Sequence, residues 1–349
     1  MKSVCVGIDV GSSSCKIAVI EQETRKPIHA ATVPTIAKAL VQQMKDLRAY
    51  EVHAHLEASD MAEWVRYVIK PHVKSVVVSH PKMNAYIGRD PRKNDKVDAR
   101  KLAELRAIGK YIAVYFHDDP KRGEFKRIVQ LYEHVVKCLT RRKVAIKTAL
   151  RRVGIIEKGK ALYSDEGRVP VLKLLAAAPM ASSATRCAVE ELYGLLDATV
   201  KHRRRILQTF KPLTAHFPEI ARFDAVPGVG FALACRFSAY VQDPTRFSNK
   251  RKLWQYCGLG VCERSSNDSP LGRKSLDPNC VHALKGMSRS AVLAAVRCRK
   301  ENPIKRTYEA IVKAGGSETH ARLTAQRKVI SMLRAIWTQG TEYKPEYKP

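Results

Sequence analysis

The sequence predicts an α/β fold at its amino-terminal end, continued by long helices. Three observations predict it. Runs of β-branched residues alternate with amphipathic helical spacing through roughly the first hundred residues. The segment Lys121 to Arg152 keeps helical apolar spacing without a break, and the last third reads as mostly helical to Trp337.

Taken in order, Val4 to Val10 is β-branched or small and ends in Asp9-Val10-Gly11; the polar turn Ser12-Ser13-Ser14 then leads into a second strand, Lys16 to Glu21, which makes a hairpin. Ile36, Leu40, Met44 and Leu47 mark a helix, Val52 to Glu57 alternates as a strand, Met61 to Val68 is helical, and Val76 to Val78 is a further strand. Such alternation implies a sheet covered on both faces. Pro81 and Pro91 bracket a loop, after which Asn94 is placed to cap a helix running through Asp98, Ala99, Leu102 and Leu105. In the long segment, Ile128, Leu131, Val135, Leu139, Ile146 and Leu150 fall at nearly coiled-coil spacing. A second amphipathic helix, Ala188 to Phe210, carries Val189, Leu192, Leu196, Val200 and Leu207 on one side, so the two can pair as an antiparallel arm. These elements divide the chain into an α/β domain over residues 1–117, a basic helical coiled-coil arm over 118–212, a mostly α-helical carboxy-terminal domain over 213–340 and a tail over 341–349. In the tail Glu342-Tyr343-Lys344-Pro345 is repeated at once as Glu346-Tyr347-Lys348-Pro349, a polar stretch expected to be disordered.

At 349 residues and 45% hydrophobic content the chain can build cores for more than one domain. Lysine and arginine total 63 against 33 acidic residues, a formal charge of +30. An excess of that size is the footprint of a polyanion partner, with counterion release driving much of the affinity. The arm concentrates it: Lys126, Arg127, Lys137, Arg141, Arg142, Lys143, Lys147, Arg151 and Arg152 have few acids among them, which favours a nucleic-acid track over a merely solvated face. The nine scattered cysteines and the absence of a signal peptide at the start read as reduced cytosolic thiols. Cys257, Cys262, Cys280 and His282 sketch a zinc site, but the spacing between the first two is loose and no second close cysteine pair follows. The longest apolar stretch, Val171 to Met180, is interrupted by Lys173 and Pro179 and is too short to cross a membrane.

Against that basic background four acids are placed like metal ligands. Asp9 ends the first strand and Glu57 ends a later strand of the same sheet, so they can meet at one rim. Asp95 and Asp98 are three apart at a helix start and project from one face. Four carboxylates at one point repel unless cations lie between them, and Mg2+ prefers hard oxygen ligands together with substrate phosphate. Val226-Pro227-Gly228-Val229-Gly230 has the pattern of a helix-hairpin-helix turn, in which backbone N–H groups at a helix start meet a DNA phosphate. The segment Gly258 to Gly272 is rich in hydroxyls and flanked by Arg264, Arg273 and Lys274; it reads as a solvated loop or as a serine nucleophile held near phosphate.

Together these motifs resemble the IS110-type transposases, recombinases with a RuvC/RNase H-like DEDD domain and a carboxy-terminal serine. The resemblance runs through G-I-D-V-G at Asp9, L-E-A-S at Glu57, H-P-K-M-N-A-Y from His80, K-N-D-K-V-D-A-R-K-L-A around Asp95 and Asp98, V-P-G-V-G, D-P-T-R-F-S from Asp243, and R-S-S-N-D-S-P-L-G ahead of L-D-P-N. It implies that Asp9, Glu57, Asp95 and Asp98 are the catalytic acids that hold Mg2+, and that the R-S-S stretch supplies the nucleophile, Ser266 in preference to Ser265. It further implies cutting and rejoining of donor and target DNA through a phosphoserine, guidance by a noncoding bridge RNA, a dimer that assembles to a tetramer, no membrane, and a bacterial cytoplasmic, nucleoid-associated location. The rival readings are a hydrolytic nuclease of the Holliday-junction resolvase type, a sugar-kinase or actin-like ATPase suggested by G-I-D-V-G-S-S-S-C-K, and a non-enzymatic RNA-binding protein. A second D-x-G phosphate loop and a glycine-rich adenosine motif, which the ATPases need, are not found in the sequence.

Overall fold

The computed structural model describes residues 1–80, 95–157, 159–262, 265–266, 269–270 and 275–345, with the backbone alone at 95, 96, 265, 266, 269 and 270. The chain divides into two compact units, Met1–Phe116 and His117–Pro349.

In the first unit β1 (Lys2–Val10), β2 (Ser14–Glu21), β3 (Pro27–Pro34), β4 (Tyr50–Glu57) and β5 (Ser75–Ser79) form one sheet in the order β3-β2-β1-β4-β5. The first three strands are antiparallel neighbours, whereas β4 runs parallel to β1 and β5 parallel to β4. The expected hairpin, strands and helices are present. The edge strand β3 was not among them: prolines stand at both its ends and most of its residues are exposed, so it lacks the buried alternation that marks a strand.

Alternation along β1 covers both faces of the sheet. Val4, Val6 and Ile8 pack with Leu40 and Met44 of α1 (Ala37–Asp46) and with Val65 and Ile69 of α2 (Ala62–Ile69). On the opposite face Cys5 packs with Ala103 and Ala107 of α3 (Asp95–Ile108). Gly7 lies under the same helix, and a Cβ there would collide with the Ala99 carbonyl and the Ala103 amide. Moving up β1 from Cys5 to Gly7 thus moves back along α3 from Ala107 to Ala99, so the helix runs antiparallel to the strand and starts at the sheet's carboxyl rim. The expected loop between Pro81 and Pro91 and the Asn94 cap lie outside the described residues.

The second unit is mostly helical. Its longest elements are α4 (Pro120–Arg152) and α6 (Ser183–Thr214), joined through α5 (Asp165–Ala177). Each has a side-chain cap at its start: Asp119 accepts from the Lys121 amide, Ser164 from Gly167 and Ser182 from Thr185. α4 and α6 lie antiparallel, with Phe125 against Phe210 at one end and Ile146 and Leu150 clustered with Val189 and Tyr193 at the other. One apolar position of the sequence reading is corrected here. Leu131 is 47% exposed, while the inner stripe runs through Phe125, Val129, Glu133, Leu139, Ile146 and Leu150. Glu133 takes an inner place because Arg236 of α8 (Gly230–Val241) sits 2.5 Å from its Oε1 and the Tyr240 hydroxyl donates to Oε2 at 2.7 Å. The Arg236 contact is an ion pair by distance without the alignment of a hydrogen bond.

The remaining elements are α7 (Glu219–Asp224), α9 (Lys250–Tyr256), the short strands β6 (Val261–Cys262), β7 (Ser265–Ser266), β8 (Ser269–Pro270) and β9 (Ser275–Leu276), and then α10 (His282–Arg297), α11 (Pro303–Lys313) and α12 (Glu318–Gln339). Phe223, Phe237 and Trp337 meet edge-on or tilted in the core that these helices share. No helix among the described residues is long and apolar enough to cross a membrane.

Because α3 uses the space that a side chain at residue 7 would fill, Gly7→Ala is expected to lower unfolding free energy by about 1–3 kcal/mol, the usual range for overpacking. Chemical denaturation of the variant beside Gly194→Ala, where a Cβ meets nothing within 4 Å, measures it.

Candidate functional site

Asp9 and Glu57 reach one rim through strand pairing. In the parallel ladder of β1 and β4, Gly7 pairs with His55 and Ile8 with Leu56, and the next residue on each strand is an acid. Adjacent strands are about 4.8 Å apart. Asp9 shares its face with Gly7, and Glu57 shares its face with His55, whose ring nitrogen contacts the Leu102 carbonyl of α3. Both acids are therefore on the α3 face. The first turn of α3 brings Asp98, and the backbone of Asp95, toward the same carboxyl rim, where the helix N-terminus favours negative charge. Asp9, Glu57 and Asp98 are each half-buried. Among the described residues no group of three or more His, Cys, Asp or Glu side chains is gathered tightly enough to hold a metal ion, and the side chain of Asp95 lies outside them. The four candidate residues are all carboxylates, hard oxygen ligands of the kind Mg2+ takes.

His55 was missed in the sequence, although the H-A-H-L-E run places it on the same strand face as Glu57 with the period of 2. It is fully buried and its Nδ1 lies 2.8 Å from the Leu102 carbonyl. A carbonyl only accepts, so Nδ1 carries the hydrogen and donates it. Burial, above all, pushes the ring pKa down to about 4, against the opposing effect of that hydrogen bond, and the nearby Arg106 charge lowers it further. Arg106 in turn donates to Ser75 Oγ at 2.6 Å and to the Tyr111 hydroxyl, while Tyr111 lies 5.0 Å from the His55 ring. The floor beneath the acids is a neutral ring tied to α3.

Two short antiparallel pairings are found among the described residues of the serine-bearing segment. β6 and β9 pair antiparallel through Val261–Leu276 and Cys262–Ser275; nearer the tip Ser265 pairs with Pro270 and Ser266 with Ser269. The backbone of Ser266 thus sits at the end of a short ladder, while its side chain and residues 263–264, 267–268 and 271–274 lie outside the described residues. At the base, Cys257 is fully buried and Cys280 Sγ lies 3.8 Å from His282 Nδ1, but with Cys262 they form no metal-holding group among the described residues.

The turn at Val226–Gly230 joins α7 to α8. Gly228, at φ +83°, packs so closely that a Cβ would collide with the Ala291 carbonyl of α10, whereas Gly230, at φ +60°, is exposed with open space around it. The first glycine serves packing, and the second leaves the start of α8 open to an approaching phosphate. The basic residues of α4 divide similarly. Arg127, Lys137, Arg141, Arg151 and Arg152 are exposed, but Arg142 donates to the Leu195 carbonyl, and Lys143 and Lys147 lie over the Tyr163 ring. Lys201, His202, Arg204 and Arg205 add a second exposed basic run on α6.

Residues 6–155 match the profile of an IS110 DEDD transposase, and residues 220–309 match that of the transposases of the IS116/IS110/IS902 family. The chain belongs to the IS110 transposase family. No curated protein matches it. Family membership makes it an enzyme of DNA transposition and recombination with DNA substrates, in a family that normally uses divalent metal. The four acids fall inside the first matched region of the transposase and Ser266 inside the second.

Two measurements follow from this geometry. An unfolded His55 takes up a proton near pH 6.5, which the folded ring refuses until about pH 4. Stability therefore falls as pH drops through that window, by on the order of 3 kcal/mol in full. Denaturation at stepped pH should show this component, and His55→Asn, which keeps a donor but does not titrate, should lose it. In salt titrations of DNA binding, Lys137→Gln with Arg141→Gln should reduce the slope of log affinity against log salt by about 2, roughly 0.9 per phosphate contact; Lys143→Gln, whose ammonium lies over Tyr163, should change it far less.

Proposed function

We propose that this transposase cuts and rejoins donor and target DNA through a phosphoserine on Ser266, with the reacting phosphate held at Asp9, Glu57, Asp95 and Asp98, and that a noncoding bridge RNA selects the sites. The observation that carries this reading is the common rim: two acids on adjacent parallel strands, on the face toward which the acid-bearing start of α3 is turned. An all-carboxylate set fits Mg2+, which when bound supplies charge neutralisation for the phosphate and for oxygens that gain charge during transfer. In the cutting step the bond between Ser266 Oγ and phosphorus forms as the bond from phosphorus to the 3′ oxygen breaks. The hydroxyl proton is given up and the 3′ oxygen gains one. An incoming 3′ hydroxyl then reverses the exchange, so the energy of the phosphodiester is kept in the protein–DNA bond. The acids and the serine belong to different family regions, and their meeting is assigned to assembly of a dimer into a tetramer with a site composed from more than one subunit. Base pairing by the RNA supplies sequence, which leaves the basic helices to bind backbone and shape.

A suicide DNA substrate tests the chemistry. Wild type with Mg2+ and guide RNA is expected to yield a denaturation-resistant protein–DNA adduct, kept in Ser265→Ala, lost in Ser266→Ala, and reduced roughly a hundredfold or more in Asp9→Ala. Metal-dependent cleavage with no adduct would instead identify a hydrolytic nuclease.

A further inference from the structure

The chain pairs as β6 with β9 and reaches the proposed nucleophile four residues after β6 ends, so something must fix where β6 and β9 leave the helical core. Arg327 of α12 is placed to do so. Its Nε and Nη2 both donate to the Leu259 carbonyl, at 2.9 and 2.7 Å, two residues before β6 begins. Leu259 is fully buried and its own amide donates to the Trp254 carbonyl at 2.8 Å. The guanidinium lies over the Trp254 ring at 5.4 Å, and the Trp254 indole N–H donates to Ser331 Oγ, one turn along the same helix, at 3.1 Å. The returning strand is tied to the same point, since the Asp277 amide donates to the Gly260 carbonyl at 3.2 Å. A charged donor with two N–H groups on one buried carbonyl is a strong and directional tie. Lysine could not reproduce it, having no planar fork.

We infer that Arg327 is a positioning residue for the reaction, anchoring the root of β6 and β9, the strands that lead to and from the segment bearing Ser266. The inference rests on the Ser266 reading. It predicts a loss in the chemical step without a loss of substrate, because a nucleophile displaced by about 1 Å costs roughly a hundredfold in rate.

The test is single-turnover adduct formation by full-length protein with guide RNA on the suicide DNA, beside DNA affinity and thermal melting. Arg327→Gln is expected to form the adduct about tenfold to a hundredfold more slowly, with DNA affinity within about twofold of wild type. Arg327→Lys should fall between, and hydrogen exchange at the Asp277 amide should quicken in Arg327→Gln. A Ser266-dependent adduct made by Arg327→Gln at the wild-type rate overturns the anchoring alone. So does a loss of affinity and melting temperature in step with the adduct, which would mark Arg327 as a general support of the fold. No adduct in wild type, or one that survives Ser266→Ala, overturns the nucleophile assignment and this inference with it.

Discussion

A helix can lie directly on a strand only where the strand offers no side chain, and α3 takes that approach at Gly7. The contact is backbone to backbone, which leaves little freedom in the height or slide of the helix. The His55 hydrogen bond to Leu102 ties it again on the neighbouring strand. With two points fixed, the start of α3 has one place to be, at the end of the strands where Asp9 and Glu57 stand. Acids brought to one rim by three separate elements repel one another, and a rigid frame opposes their spreading. The apolar packing of α1 and α2 on the opposite face supplies the stability that this arrangement draws on.

The second unit solves a different problem. A serine that attacks phosphate must stand clear of the protein, yet a hydroxyl on a free loop samples too many positions to react efficiently. Under the proposed chemistry the β6–β9 pairing, rooted in helices, is what restrains the chain on its way to Ser266. Its root lies against the buried Leu259 and Cys257 and the partly buried Trp254. The glycines at the root have matching reasons to be there: Gly258 adopts φ +70° with Cys280 against it, where a Cβ would collide with the thiol.

What the sequence disclosed and what it hid follow from the range of the interactions. Hairpin, strands and long helices were legible because period and turn residues are local properties. The edge strand β3 escaped because exposed residues carry no period, and α5 escaped because Pro170 interrupts the pattern it would otherwise show. Leu131 was placed inside because apolar spacing cannot foresee that an acid, Glu133, will be paired by Arg236 more than a hundred residues away. The acids of the rim were proposed from their strand ends and from family resemblance, whereas His55 and Arg327 drew no notice, since each bonds a backbone carbonyl that any residue type could present.

The same pairing bears on the charge. Arg122 meets the buried Glu219 at 2.5 Å, Arg168 holds Asp197 by two hydrogen bonds of 2.7 and 2.8 Å, and Arg236 lies on Glu133. Each pair cancels one charge of each sign, so the formal excess of +30 is untouched while the acids left unpaired grow fewer. The outside is therefore more one-sidedly basic than the composition states, which strengthens attraction for a nucleic-acid backbone at long range. Within the first unit Asp9, Glu57 and the start of α3 stand at one rim of the sheet, an acidic exception to that basic composition.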